Sequence, residues 1–233
     1  MCFNKKASLS VFTYVVVASG LLWYRNYPND RMLAIVSVAI GLVQLFEYFI
    51  WAYPGCNLVN HYATLGIALI IILHPTIMFS SSYIYENTVI PRKVLLIPII
   101  IGSIGFIYYF YKLMLIKRNF CSKALKNDYL NWDINIIKDK PSSNPLSFSI
   151  WIFYFLPLFV FILFKNRTYG IILFAFLLIG FLFSMDKARF LSSVKSNSWR
   201  SLWCFVSNSL PIVALVLGYY FYNKKLKLNH KKN

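Results

Sequence analysis

The sequence predicts an all-α integral membrane bundle of about seven transmembrane helices. Three observations predict it. Of 233 residues, 59% are hydrophobic and only 13% charged, against about 45–50% and about 25% in soluble domains. The apolar residues fall into separate runs, each near the ~20 residues that a spanning helix needs. The basic residues cluster between those runs, as they do where chains set their orientation and meet anionic headgroups. The formal net charge of +17 therefore needs no nucleic acid to explain it, and no basic soluble domain is present to bind one. The expected partner is the lipid bilayer, with a small solute or ion as ligand.

The first span is read at 8–24. Lys5 and Lys6 precede it, as in a signal peptide, and Ala18-Ser19-Gly20 has the small residues of a cleavage site. The run continues through Leu21, Leu22 and Trp23, so it is read as a retained helix. After the turn at Pro28, Asn29 and Asp30, a second span covers 32–53 and closes at Pro54-Gly55. The third, 63–83, holds His74-Pro75, where the missing backbone donor predicts a local kink. The fourth covers 94–115. The hydrophilic stretch from Lys117 to Pro145 reads as a loop, with a short interfacial helix around 124–137. Spans at 146–164, 169–185 and 201–222 follow, making 1–222 one membrane domain, and 223–233 a basic tail. No internal repeat argues for an inverted-repeat transporter.

With seven spans, Cys2, Cys56, Cys121 and Cys204 all fall on the N-terminal side of the membrane. No CxxC pair is present, so a zinc-knuckle spacing is absent. Disulfides form if that side is oxidising; if it is cytosolic, the cysteines are free thiols or ligands. Basic residues divide nearly evenly between the two sides. The paired charges of the tail-side links and the basic tail favour the tail in the cytosol, while Lys5-Lys6 argue the other way.

Chemistry concentrates at Glu47, the one carboxylate well inside an apolar run. Asp30, Glu86, Asp128, Asp133, Asp139 and Asp186 lie in loops or at span ends. A charge in hydrocarbon is costly and marks a functional site by default. Gln44, Glu47 and Trp51 share one helix face, and Glu47 lies roughly 9 Å from the span end at Tyr53. In the seventh span Ser201, Cys204, Asn208 and Pro211 form a matching stripe, with Asn208 expected at the depth of Glu47. Both stripes, with Cys2, Asn57 and His61, could line one polar pocket. The plainer account is interhelical hydrogen bonding, which suits Gln44 and Asn208 best. No Lys or Arg lies mid-span to pair with Glu47, so it is expected to be protonated, hydrogen-bonded, hydrated or cation-bound. His61 and His74 are about 20 Å apart along a straight helix, too far to share a zinc, and no metal ligands are assigned. The seventh span has no lysine for a retinal Schiff base.

Met1-Cys2-Phe3 with Ala7-Ser8, the run from Gln44 to Trp51, and Trp203-Cys204 resemble an uncharacterised family of multi-span membrane proteins. Its members open Met-Cys-Phe-Ser or Met-Cys-Trp-Ser and carry Gln-x-x-Glu-x-x-x-Trp in the second span. Asn4 here replaces the serine. The resemblance implies a membrane bundle, no particular activity or cofactor, and a special interest in Cys2, Gln44, Glu47, Trp51 and Cys204. Three functions fit these residues: binding or transport of a small solute or ion around Glu47, an intramembrane enzyme using Glu47 with a thiol or metal, and a structural or accessory membrane protein.

Overall fold

The structure is a computed structural model that describes residues 4–85, 88–115, 119–124, 130–132, 158–191, 204 and 206–230. Its helices are α1 (Lys5–Arg25), α2 (Asp30–Ala52), α3 (Leu58–Tyr85), α4 (Arg92–Leu115), α5 (Phe159–Ile162), α6 (Arg167–Leu191) and α7 (Leu210–His230). Two-residue strands β1 (Lys123–Ala124) and β2 (Leu130–Asn131) pair antiparallel between α4 and α5. Among the described residues, five helices are long and apolar enough to cross a membrane: α1 to α4 and α6 as far as Ser184. The apolar part of α7, Leu210–Tyr222, is shorter. The chain is a helical membrane protein.

Local chemistry sets the helix ends. Asn4 caps α1, its Oδ1 accepting from the Ala7 amide at 2.9 Å, and Asn26 ends it in the left-handed region (φ 53°). The Asn57 side chain accepts from the Asn60 amide at 3.0 Å, which starts α3 at Leu58 rather than at residue 63. Asn166 accepts from the Tyr169 amide at 3.2 Å and opens α6. α3 runs on through Pro75 to Tyr85. The stretch read as a seventh span is broken by a turn at Asn208–Ser209. Pro211 has no N–H for an upstream carbonyl, so it sits in the first turn of α7, where none is required. α7 then continues through the segment read as a tail, because Lys and Leu are good helix formers.

Most of the fifth span, 146–157, lies outside the described residues, as do Cys2 and 201–203. The described end of that span is α5, after which Leu163 O accepts from the Val89 amide at 2.8 Å and Phe164 bridges Thr88. Of the interfacial helix expected around 124–137, residues 125–129 and 133–137 lie outside the described residues; the described 124, 130 and 131 belong to the β1–β2 ladder.

α2 is the most buried of the long helices and packs against α1, α3 and α7; α4 is the least buried and packs on α3. Ile97, Ile100, Ile101, Ile104 and Ile107 of α4 are exposed, a surface suited to acyl chains. Close helix approach depends on small residues. A Cβ on Gly41 would lie 2.8 Å from Val15 of α1, and one on Gly66 would lie 2.6 Å from the Phe46 ring of α2.

Phe221 and Tyr222 of α7 lie beside Tyr27 to Asn29 in the turn that follows α1, so α7 runs toward the face opposite the start of α1. Small tags at both ends, tested for protease access in sealed vesicles, should be cleaved from opposite faces. Cleavage of both from one face would contradict the topology.

Candidate functional site

α2 carries Gln44, Glu47 and Trp51 on one face because they are spaced three and four apart. Glu47 is completely buried and Gln44 almost so, while Trp51 is partly covered. What covers Glu47 is Trp132, itself buried, whose Nε1–H donates to Glu47 Oε1 at 3.0 Å. A tryptophan eighty-five residues away in sequence thus reaches the α2 carboxylate from the loop after α4.

The loop is held there by a clamp on the first turns of α3. Cys56, just before α3, forms a disulfide with Cys121, with Cα atoms 5.3 Å apart. The Phe120 amide donates to His61 Nδ1 at 2.9 Å. The Ser122 amide donates to Asn60 Oδ1 at 3.0 Å and to Thr64 Oγ1 at 3.2 Å. Asn60 Nδ2 donates in turn to Ser122 O at 3.1 Å and Tyr53 O at 3.2 Å. The Thr64 and Ser122 hydroxyls meet at 2.9 Å. Asn60, Thr64 and Ser122 are all buried, so these bonds satisfy groups that would otherwise be stranded. The β1–β2 ladder then turns the chain back and leaves Trp132 over α2.

Around the carboxylate, two donors have no hydrogen-bond partner among the described residues: Gln44 Nε2 and Trp51 Nε1. Both are side-chain N–H groups without water contact, on the same face as Glu47. Such groups are costly to leave unmet.

The residues singled out from sequence are therefore only partly brought together. Gln44, Glu47 and Trp51 form one face. His61 sits in the clamp, stacked on Phe120 at a ring distance of 6.0 Å. Cys204 is buried, and its carbonyl accepts from Ser207 Oγ and Asn208 Nδ2. Asn208 does not lie level with Glu47. Its Oδ1 is 3.6 Å from where a Cβ of Gly41 would stand, six residues along α2 or about 9 Å deeper. His74 is elsewhere in the core, beside Val36, Ile40, Met78 and Ser207. Among the described residues, no three His, Cys, Asp or Glu side chains gather closely enough to hold a metal ion.

Trp132, Asn60, Thr64 and Ser122 were not singled out from the sequence. The available signal was a lone tryptophan in a hydrophilic loop and an Asn-x-x-x-Thr pair just after a cysteine.

A search of family models, of curated proteins and of solved structures finds no match to this chain.

Proposed function

We propose that this membrane protein binds, and passes across the bilayer, a small polar solute or hydrated cation at Glu47, entering from the face that carries the disulfide. The observation that carries the reading is the fully buried Glu47 carboxylate on the same face as two unmet donors, Gln44 Nε2 and Trp51 Nε1. A carboxylate beside free N–H donors complements a ligand with both a cationic or donating group and an acceptor. Trp132, donating to Glu47 Oε1 at 3.0 Å, would be the side chain to move for a ligand to reach the carboxylate. The Gln-x-x-Glu-x-x-x-Trp pattern, shared by the family the chain resembles, contributes all three side chains.

The Cys56–Cys121 disulfide supports an orientation in which the N-terminal face meets an oxidising compartment. Arg31, Arg92, Lys93, Lys165 and Arg167 then line the cytosolic face, in keeping with the bias of short loops.

The test is flux into liposomes loaded with a pH-sensitive dye, under imposed sodium, potassium or proton gradients. Wild type should conduct, and Glu47→Gln should elute normally from a sizing column but lose flux, because the amide keeps the shape and removes the charge. Equal flux in both proteins would refute the reading.

One observation favours a second reading, an accessory protein in which Glu47 anchors the loop: the direct Trp132 bond. In that case Glu47→Gln, which still presents an acceptor to Trp132, and wild type should behave alike in every assay.

A further inference from the structure

At the opposite face of the bundle from Glu47, a cleft of about 680 Å³ opens between the α1–α2 turn, the α5–α6 link and α7. Its walls include Tyr27, Asn29, Lys165, Arg167, Phe221 and Tyr222. The Tyr27 and Tyr222 rings stack with centroids 4.0 Å apart. Tyrosines of this kind sit at the headgroup level of a bilayer.

The charges in the cleft are asymmetric. Asp30, the nearby carboxylate, is already engaged: its oxygens accept from Arg25 Nε at 2.7 Å, Arg25 Nη2 at 2.9 Å and the Tyr27 amide at 2.9 Å. Lys165 and Arg167 are exposed and form no salt bridge among the described residues. They stand at the amino end of α6, where the helix dipole adds to their field.

Asn29 supplies an independent sign of a ligand. It occupies the N-cap position of α2, yet its side chain makes no capping hydrogen bond. It is only 4% exposed, and its Oδ1 has no partner among the described residues. A buried acceptor on the cleft wall calls for a hydroxyl or N–H donor from whatever fills the cleft.

We propose that this cleft binds the head of an anionic phospholipid whose head carries hydroxyl groups, with the phosphodiester between Lys165 and Arg167 and a head hydroxyl on Asn29. The apolar wall at Phe221 and the neighbouring α7 surface would receive the start of the acyl chains. The shared chemistry is a phosphate ester bearing a hydroxyl, so a soluble glycerol phosphate could in principle present it too, and the experiment separates the two sources.

The purified full chain in detergent would be titrated with dioctanoyl phosphatidylglycerol and followed by native mass spectrometry. Dioctanoyl phosphatidylcholine, dioctanoyl phosphatidic acid, glycerol 3-phosphate and inorganic phosphate would be titrated in parallel. Phosphatidylglycerol should bind at least about tenfold tighter than phosphatidylcholine, the scale of a lost charge-assisted hydrogen bond. The double variant Lys165→Gln/Arg167→Gln should weaken phosphatidylglycerol and phosphatidic acid alike, by roughly tenfold. Asn29→Gly keeps the left-handed backbone (φ 78°) without strain. It should weaken phosphatidylglycerol about fivefold and leave phosphatidic acid, which has no head hydroxyl, unchanged. Glycerol 3-phosphate binding as tightly as phosphatidylglycerol would support the site chemistry and assign it to a soluble ester. Equal affinity for phosphatidylglycerol and phosphatidylcholine, unchanged binding in the double variant, or an unaltered Asn29→Gly profile would each overturn the proposal. Asn29 also carries the test alone if the double variant does not fold.

Discussion

Asp30→Asn should destabilise the folded bundle by about 3 kcal/mol, at the low end of the range for removing one partner of a buried ion pair. Asp30 is buried and binds Arg25 through both oxygens, while Arg25 also donates to the Ala214 carbonyl at 3.1 Å and to the Leu215 carbonyl. One guanidinium therefore ties α1 and the start of α2 to α7. With the carboxylate gone, the guanidinium keeps its charge and its place between helices but loses its counterion. The low end applies because the Arg25 side chain retains 16% of its exposure, so water screens part of the loss. Gly218→Ala should act in the same direction, since a Cβ there would collide with the Arg25 Nη2 atom. Equilibrium unfolding in mixed detergent, where it is reversible, measures both. The double variant Arg25→Met/Asp30→Asn should recover part of the loss, because no unpaired charge remains. A change within about 0.5 kcal/mol for Asp30→Asn, the scatter of ordinary surface substitutions, would show that the pair does not hold the helices together.

The second large effect concerns the clamp. Cys121→Ser removes a crosslink between residues separated by 65 positions. Chain-entropy arguments put such a link at about 4 kcal/mol for a free chain. Here the intervening α3 and α4 lie in the membrane, which restricts the open chain, so the global loss should be smaller. The larger effect should be local. Residues 119–124 and 130–132 are joined to the bundle through the disulfide, the Asn60–Thr64–Ser122 hydrogen bonds and the Trp132–Glu47 bond, and loss of the first weakens the rest. The expected result is new protease cleavage in this loop, with the helices intact by circular dichroism, and a red-shifted tryptophan emission as Trp132 meets water. Non-reducing peptide mapping is the direct check. Absence of a Cys56–Cys121 peptide in protein isolated with thiols blocked would remove the basis of the prediction.

The long helices were legible because hydropathy reports them directly: α1 to α4 run within a few residues of the runs read from sequence. Where the ends differ, a side chain decides, as with Asn57 at the start of α3, and single caps are weak signals beside twenty apolar residues. Glu47 was legible for a similar reason, since one carboxylate inside an apolar run is a contrast visible without geometry. Its covering was not. Trp132 and the Asn60–Ser122 bonds join residues 85 and 62 positions apart, and no local period encodes a contact of that kind. Asn208 shows the converse failure. A stripe at helical spacing through Pro211 suggested a continuous helix, and proline at a first turn looks the same in a periodicity count as proline in the interior.

The span between the two clamped cysteines also sets an order of events during synthesis. Cys56 follows α2 and waits on its face of the membrane while α3 and α4 are made and inserted. At about 5–20 residues per second, Cys121 follows roughly 3–13 s later. The correct bond cannot close before the fourth helix has crossed, so its closure reports that the first half of the bundle is in place. Cys2 is the one thiol made earlier, and for that interval it is the competitor for Cys56. A cell with little thiol-exchange capacity should therefore accumulate the mispaired early product, and the yield of mature protein should follow its isomerase supply.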